Sequence, residues 1–512
     1  MPSRDSVPLA VDIPASSSRV HIAFDNTYAR LPDRFYARVI PTPVAAPQLV
    51  KLNFDLAEQL GLDSAELASP EGVEILAGNR IAEGSEPIAM AYAGHQFGYF
   101  VPQLGDGRTN LLGEVLARNG VRYDIQLKGS GRTPFSRAGD GRAALGPVLR
   151  EYIVSEAMNA LGVPTTRSLA AVTTGEDVLR ETVLPGAVLT RVASSHLRVG
   201  TFQYFAARQD IEGVRALADY AIARHYPESA QAQRPYRAFL EAVVSRQASL
   251  VAQWMLLGFI HGVMNTDNTS ISGETIDYGP CAFMEAYDPD TVFSSIDRGG
   301  RYAYGNQGGI ALWNLMRLTE CLLPLFQQAE GSEQAALDSA REVLSKFEPQ
   351  FEAAYHAGLR RKLGLTTERE GDIDLGKDLL ERMAANQADF TLTFRRLSDA
   401  ADSAMYDALV RELFTDSAAF DTWAMTWRAR LQHEPTAPGE RAAQMRRTNP
   451  LFIPRNHMVE AALNAATERR DFQPFEDLLA VVLNPYDDRP GLERYATPAR
   501  PEERVCATFC GT

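Results

Sequence analysis

The densest cluster of reactive residue types in the chain runs His261-Gly262-Val263-Met264-Asn265-Thr266-Asp267-Asn268, followed nine residues after Asn268 by Asp277 in Ile276-Asp277-Tyr278-Gly279. An amide and a carboxylate at this spacing offer the hard oxygen donors wanted by a divalent cation that bridges phosphates, and Asp267 adds a carboxylate beside them. Upstream, three glycine-arginine quartets fall close together: Gly105-Asp106-Gly107-Arg108, Gly129-Ser130-Gly131-Arg132 and Gly139-Asp140-Gly141-Arg142. Paired glycines let backbone N–H groups approach an anion, and an arginine fork adds charge; three hairpin turns on a polar edge would read the same way. Lys128 closes an apolar stretch and Glu151 follows 23 residues later, while Arg191 and Arg198 flank a change of texture in the chain. Two guanidinium groups there suit a polyphosphate or, equally, salt bridges between two lobes.

These spacings match a phosphoryl-transfer site in all but one position. Protein kinases place a strand lysine against a helix glutamate, and their catalytic loop reads His-x-Asp-x-x-x-x-Asn before Asp-Phe-Gly. Here His261 and Asn268 keep that separation, and Asp277-Tyr278-Gly279 takes the Asp-Phe-Gly place. Val263 stands where the catalytic aspartate belongs, and a valine accepts no proton. Either nucleotide is bound without chemistry or another carboxylate serves, and Asp267 is the acidic residue of this loop. His261 and Asp267 could also simply satisfy backbone groups in a tight loop.

The elements that must carry these residues follow from periodicity. Residues 1–85 read as an N-terminal extension with short helices, one capped by Asn53 and stopped by Gly61. Residues 86–200 read as a strand-rich lobe: 110–116, 121–128, 167–172, 178–182 and 187–192, with turns at Asn119-Gly120 and Thr174-Gly175, and one helix from Pro147 to Leu161. Residues 201–455 read as a larger, mainly helical lobe, with helical spacing over 236–264, 310–326, 333–363 and 378–401. Thr269–Asp277 reads as a hairpin, Gln432–Arg455 as a long loop rich in proline and charge, and 456–512 as a C-terminal extension with a cysteine tail. The fold class is therefore α+β, a small strand-rich lobe and a larger helical one.

Composition narrows the partners. In 512 residues, 51 Lys+Arg stand against 65 Asp+Glu, a net charge of −14, which argues against nucleic acid. Four cysteines are too few for a disulfide framework. Met1–Val20 carries Arg4, Asp5 and Asp12 without an apolar stretch, so no secretory signal is expected. Trp254–Met264 spans only 11 residues, short of the roughly 20 that cross a bilayer, so no membrane partner and a cytoplasmic location are expected.

Taken together, Tyr92-Ala93-Gly94-His95-Gln96-Phe97-Gly98, Leu104–Arg108, Gln126–Gly131, His261–Asn268, Asp277–Pro280, Asn449-Pro450 and Pro454–His457 resemble the selenoprotein O family of protein adenylyltransferases, from about residue 20 onward. The resemblance implies a bilobal, protein-kinase-like fold and transfer of AMP from ATP to Ser, Thr or Tyr hydroxyls of proteins, with the nucleotide reversed. It implies Asp267 as base, Asn268 and Asp277 as ligands of Mg2+ or Mn2+, and Glu151 as partner of Lys128. It also implies Lys128, Arg191 and Arg198 on the buried phosphates, with Gly105, Gly107, Arg108, Asp140 and Gly141 around the nucleotide. A regulatory disulfide of the tail thiol Cys510 is part of the family's pattern. Phe293 occupies the stretch where some relatives carry the partner, so Cys281 or Cys506 would have to serve. A kinase using Asp267, or a catalytically silent ATP-binding scaffold, are the competing expectations.

Overall fold

The computed structural model describes residues 20–509. Its strand-rich part is one antiparallel sheet, to which β1 (Tyr36–Arg38), β2 (Gln48–Leu52), β3 (Ile88–Met90), β6 (Thr109–Leu116), β7 (Arg122–Lys128), β8 (Ala143–Ala144), β9 (Arg167–Leu179) and β10 (Val183–Ala193) contribute. The order is β1-β3-β6-β7-β10-β9-β2, with β8 beside β10. A separate two-stranded hairpin is formed by β4 (Gly94–Gln96) and β5 (Tyr99–Val101).

Alternation along β7 and β10 decides what faces the site. Side chains of successive strand residues point to opposite faces. Ile125, Leu127, Val188 and Val192 therefore share one face, where they bury against Leu56, Leu60, Ile75 and Leu76 of the helices Phe54–Leu60 and Pro70–Ala77. Gln126 and Lys128 point the other way, and the register puts Arg191 directly opposite Gln126. The first of those helices is capped as its sequence predicts: Asn53 accepts from the Leu56 N–H at 3.1 Å, and Gly61 ends it at φ +78°.

The helix Leu145–Ala160 crosses the polar face of the sheet and carries Glu151. Helices Asn456–Arg469 and Gln473–Val482 also pack on it, with Tyr152 edge-on to Phe475 at 5.8 Å and Leu149, Ile153 and Ala157 in one apolar cluster with Ala187, Leu189 and Leu463. The helix is therefore buried nearly all round, its polar residues Arg150, Glu151, Ser155 and Glu156 included. The rest of the chain is helical, including Pro235–Leu257, Gln307–Glu330, Phe347–Lys362 and Asp372–Asn386.

Four local expectations need correction. Thr269–Asp277 is a turn whose sides pair elsewhere, Ser270 with Arg198 and Thr275 with Thr165, so it stitches the lobes instead of closing on itself. The two strands expected at 167–172 and 178–182 are one, β9, because Gly175 at φ +73° is absorbed as an irregularity in a continuous ladder with β10. Within Gln432–Arg455 a helix spans Pro438–Thr448; Pro438 occupies its first turn, where a missing N–H costs nothing. Residues 36–52, read as lead-in, supply the edge strands β1 and β2. No helix among the described residues is long and apolar enough to cross a membrane.

Candidate functional site

Helix Pro235–Leu257 stops at Gly258, whose φ of +71° turns the chain into a short bridge, Phe259–Ile260 with Ala282–Phe283, and then into the loop at His261. The His261 ring is fully buried. Its Nε2 faces the Ile276 carbonyl at 2.9 Å and its Nδ1 accepts from the Val263 N–H at 3.3 Å, so it carries its proton on Nε2. Burial holds its pKa below the ordinary value. His261 thus ties the loop to the segment leading into Asp277 and is a structural group.

Asp277 adopts φ +61°, in the left-handed region that an aspartate tolerates better than most residues. Three cations converge on its carboxylate. Lys128 Nζ donates to Oδ1 at 3.0 Å, Arg191 to Oδ1 at 2.5 Å and Arg198 to Oδ2 at 3.0 Å. Burial alone would raise its pKa, but the charges of Arg191, Lys128 and Arg198 outweigh burial and hold it well below the usual carboxylate range. Glu151 balances the cluster from the helix side, accepting from Lys128 at 2.5 Å and lying 3.3 Å from Arg191. Arg191 also donates to Gln126 at 2.6 Å, and Gln126 to the buried Asp106 at 3.2 Å. Three cations, all buried, thus meet at the Asp277 and Glu151 carboxylates, and Arg198 also lies in the field of Asp106 and Asp267.

Asp267 sits at the other side of the cluster. Arg198 donates to its main-chain oxygen at 2.8 Å, and Gln96 donates to its Oδ2 at 3.1 Å. Its Oδ1 is buried and has no hydrogen-bond partner among the described residues. A Cβ on Gly94 would lie 2.6 Å from that oxygen, so a glycine is required there. Burial pushes the Asp267 pKa up to about 6, against the opposing pull of the Gln96 hydrogen bond and the Arg198 charge. A carboxylate with a pKa near neutrality and one oxygen without a hydrogen-bond donor has the chemistry of a general base. Asn268 donates through Nδ2 to the Val263 carbonyl at 3.0 Å, which turns its Oδ1 away from that carbonyl and leaves it open to a ligand.

The glycine quartets are drawn together. Gly129 N–H donates to the Arg108 carbonyl at 2.7 Å, Gly131 N–H to the Gly141 carbonyl at 3.0 Å, and Ser130 pairs with Arg142. Gly105 and Gly141 have φ of +70° and +72°, and a Cβ on either would overlap the Phe135 ring or the Gly131 carbonyl. Arg108 is half-buried and forms no ion pair among the described residues. Asp140, by contrast, is exposed and binds the Arg180 guanidinium at 2.8 Å and the Arg142 N–H at 2.9 Å. Of the thiols, Cys281 is buried and Cys506 exposed, while Cys510 lies outside the described residues. The tail reaches this region through Thr508, whose hydroxyl donates to the Pro280 carbonyl at 2.6 Å.

Sequence reading passed over Gln96, Asp106 and Gln126 as site residues, although Asp106 lies inside the first quartet. It also missed a buried network beneath the sheet, in which Arg224 donates to Asp124 at 2.5 Å and to Glu114 at 2.7 Å, and the His196 ring meets Asp124 at 3.0 Å. Paired charges of opposite sign on β6, β7 and a helix 100 residues away leave no local signal.

With this geometry in place, comparison with known proteins is informative. A family model described as protein adenylyltransferase SelO matches residues 18–483. A protein nucleotidyltransferase YdiU of Bradyrhizobium sp. (strain ORS 278) is 67% identical over 493 residues, covering 96% of this chain and all of the relative. Proteins of the same name from Rhodopseudomonas palustris (strain BisB5) and Methylorubrum populi are each 66% identical, with 96% of this chain covered and 100% and 99% of the relatives.

Proposed function

The chain belongs to the SelO family of protein adenylyltransferases and is a protein nucleotidyltransferase; we propose that it joins the AMP of ATP to Ser, Thr or Tyr hydroxyls of proteins, with Asp267 as the base. The observation that carries this reading is the convergence of Lys128, Arg191 and Arg198 on Asp277 at the buried foot of the cleft.

Cations clustered there favour the β- and γ-phosphates, because the arginine forks match phosphate oxygens bidentately and Lys128 adds a point charge beside them. With the terminal phosphates held inside, the α-phosphorus faces outward to the acceptor. Asp267 takes the proton of the hydroxyl, the oxygen attacks the α-phosphorus, and the bond to the β-phosphate oxygen breaks. Pyrophosphate leaves into the grip of Lys128, Arg191 and Arg198, which were in place before charge developed. Glu151 orients Lys128, Gln126 orients Arg191, and Gln96 orients Asp267. Gly105, Gly107, Arg108 and Gly141 would line the nucleotide.

Asn268 and Asp277 would hold the divalent cation, their amide and carboxylate oxygens being the hard donors that suit Mg2+ or Mn2+. Such a cation would supply further neutralisation of the phosphates. For Asp277 to serve, the phosphates must draw some of its three cations away.

The test is mass spectrometry of a protein acceptor after incubation with ATP and Mg2+ or Mn2+. The proposal expects an added adenylyl group on hydroxyl side chains. An added phosphoryl group would assign a kinase, and an unmodified acceptor with ATP bound would assign a scaffold.

A further inference from the structure

We propose that the acceptor docks as an added strand: an extended, acidic, hydroxyl-bearing segment of the protein substrate lies along the free edge of the β4–β5 hairpin, its carboxylates meeting Arg301 and Arg317. This inference rests on the AMP-transfer reading above and names the chemistry of its substrate.

The hairpin is bolted to the catalytic loop. Its two-residue turn, Phe97-Gly98, lies between the paired residues Gln96 and Tyr99 and has φ of +50° and +87°, the left-handed pair of a tight β-hairpin turn. A bulky residue such as Phe97 is strained at positive φ. The strain is held by the loop itself, because the Phe97 N–H donates to Asn265 Oδ1 at 3.0 Å and to the Tyr302 hydroxyl at 3.2 Å. One residue back, Gln96 holds Asp267, and His95 N–H donates to Thr266 at 2.7 Å. A conformation this expensive, kept beside the reacting residues, marks a functional device.

The other edge of the hairpin is open. His95 and Phe100 oppose each other one step from the Gln96–Tyr99 pair, which makes them the pair that exchanges no hydrogen bonds. The Phe100 N–H and C=O therefore point outward, where no described residue meets them. Tyr99 is 80% and Phe100 41% exposed. Unpaired strand edges with exposed aromatics are templates for an added strand.

Charge specifies the occupant. The Arg301 guanidinium comes within 3.7 Å of where a Gly98 Cβ would stand and lies over Trp313 at 4.8 Å, as does Arg317 at 4.8 Å. The Arg301 main-chain N–H donates to Asp297 at 3.0 Å, but its guanidinium has no ion-pair partner among the described residues; that of Arg317 has Glu320 at 2.8 Å. His95 packs between Phe100 and Trp313, at 5.0 and 5.2 Å, and burial, with a smaller push from both arginines, disfavours its protonation. In a chain of net charge −14 this puts basic and aromatic groups together beside the hairpin turn, suited to a segment carrying Asp or Glu near its hydroxyl.

The experiment uses the full chain, a non-hydrolysable ATP analogue, and two fluorescent peptides identical around one Tyr, flanked in one by Asp and Glu and in the other by Lys. Anisotropy gives the affinity for each, and AMP transfer from ATP gives KM for each. The wild-type protein is expected to prefer the acidic peptide by about tenfold in both readouts. Arg301→Glu is expected to abolish or reverse that preference, and Phe100→Pro, which removes the outward N–H, to weaken both peptides. Equal affinity of the wild type for the two peptides, or a preference unchanged by Arg301→Glu, overturns the docking surface while leaving AMP transfer standing. A self-association lost in Tyr99→Ser would assign the edge to a second copy and overturn it as well. Charge-dependent peptide binding with no AMP on any acceptor would overturn the AMP-transfer reading, and the substrate role with it.

Discussion

Gln96 gives Asp267 a single hydrogen bond, 3.1 Å to Oδ2, and leaves Oδ1 buried without a donor. Burial, opposed by that one bond, raises the Asp267 pKa to about 6. With Asp267 as the proposed base, that value would set the pH behaviour of AMP transfer. The active form is the carboxylate, so kcat/KM for AMP transfer is expected to rise with pH through about 6 and then level. Because the Gln96 hydrogen bond favours the charged form, Gln96→Leu should move that midpoint upward. A pH profile of both proteins checks this, and a midpoint that does not respond to Gln96→Leu would remove Asp267 as its source.

Asp267→Asn should separate stability from activity. The folded pKa of about 6 lies above the ordinary 3.8, so the fold favours the neutral acid. The stability this lends is present below about pH 4 and is lost as pH rises through 6. At pH 7.5 the neutral amide should therefore stabilise the protein by on the order of 1–3 kcal/mol. AMP transfer should fall by about 10²- to 10⁴-fold. Denaturant melts at pH 7.5 and initial rates measure the two effects.

Asp277→Asn should do the opposite to stability. It removes the one carboxylate that Lys128, Arg191 and Arg198 all share, and breaking a buried ion pair by removing one partner costs about 3–5 kcal/mol. A polyanion can replace the lost carboxylate. Pyrophosphate without divalent cation should raise the Tm of Asp277→Asn more than that of the wild type, where Asp277 competes for the same cations. Differential scanning calorimetry with and without pyrophosphate decides the matter, and equal shifts would contradict it.

Gly141→Ala tests the glycine cradle. At φ +72° with the Gly131 carbonyl against the new Cβ, the quartets must separate. A cost of about 1–3 kcal/mol in stability and a weakened ATP affinity are expected, measured by melting and by nucleotide titration. Full ATP affinity would place the nucleotide elsewhere.

Much of the site is legible in the sequence because it is written in residue types at short spacing. Asn268 and Asp277 lie in one segment, and alternation along Tyr123–Lys128 foretells which side Lys128 takes. What escapes reading is set by tertiary contact. Gln96 reaches Asp267 across 171 residues. Thr269–Asp277 alternates like a hairpin, yet its sides find better partners in Arg198 and Thr165. Proline and charge suggested a loop at 432–455, but a proline in the first turn and a buried Met445 and Ala442 make a helix of Pro438–Thr448.

The central claim is that the buried cations hold the outer phosphates of ATP, so that the α-phosphorus meets the acceptor. ATP labelled on the α- or the γ-phosphate, given with Mg2+ or Mn2+ and a protein acceptor, tests it most directly. Label from the α-position on the acceptor, absent in Asp267→Asn, is the predicted result; label from the γ-position there would contradict it.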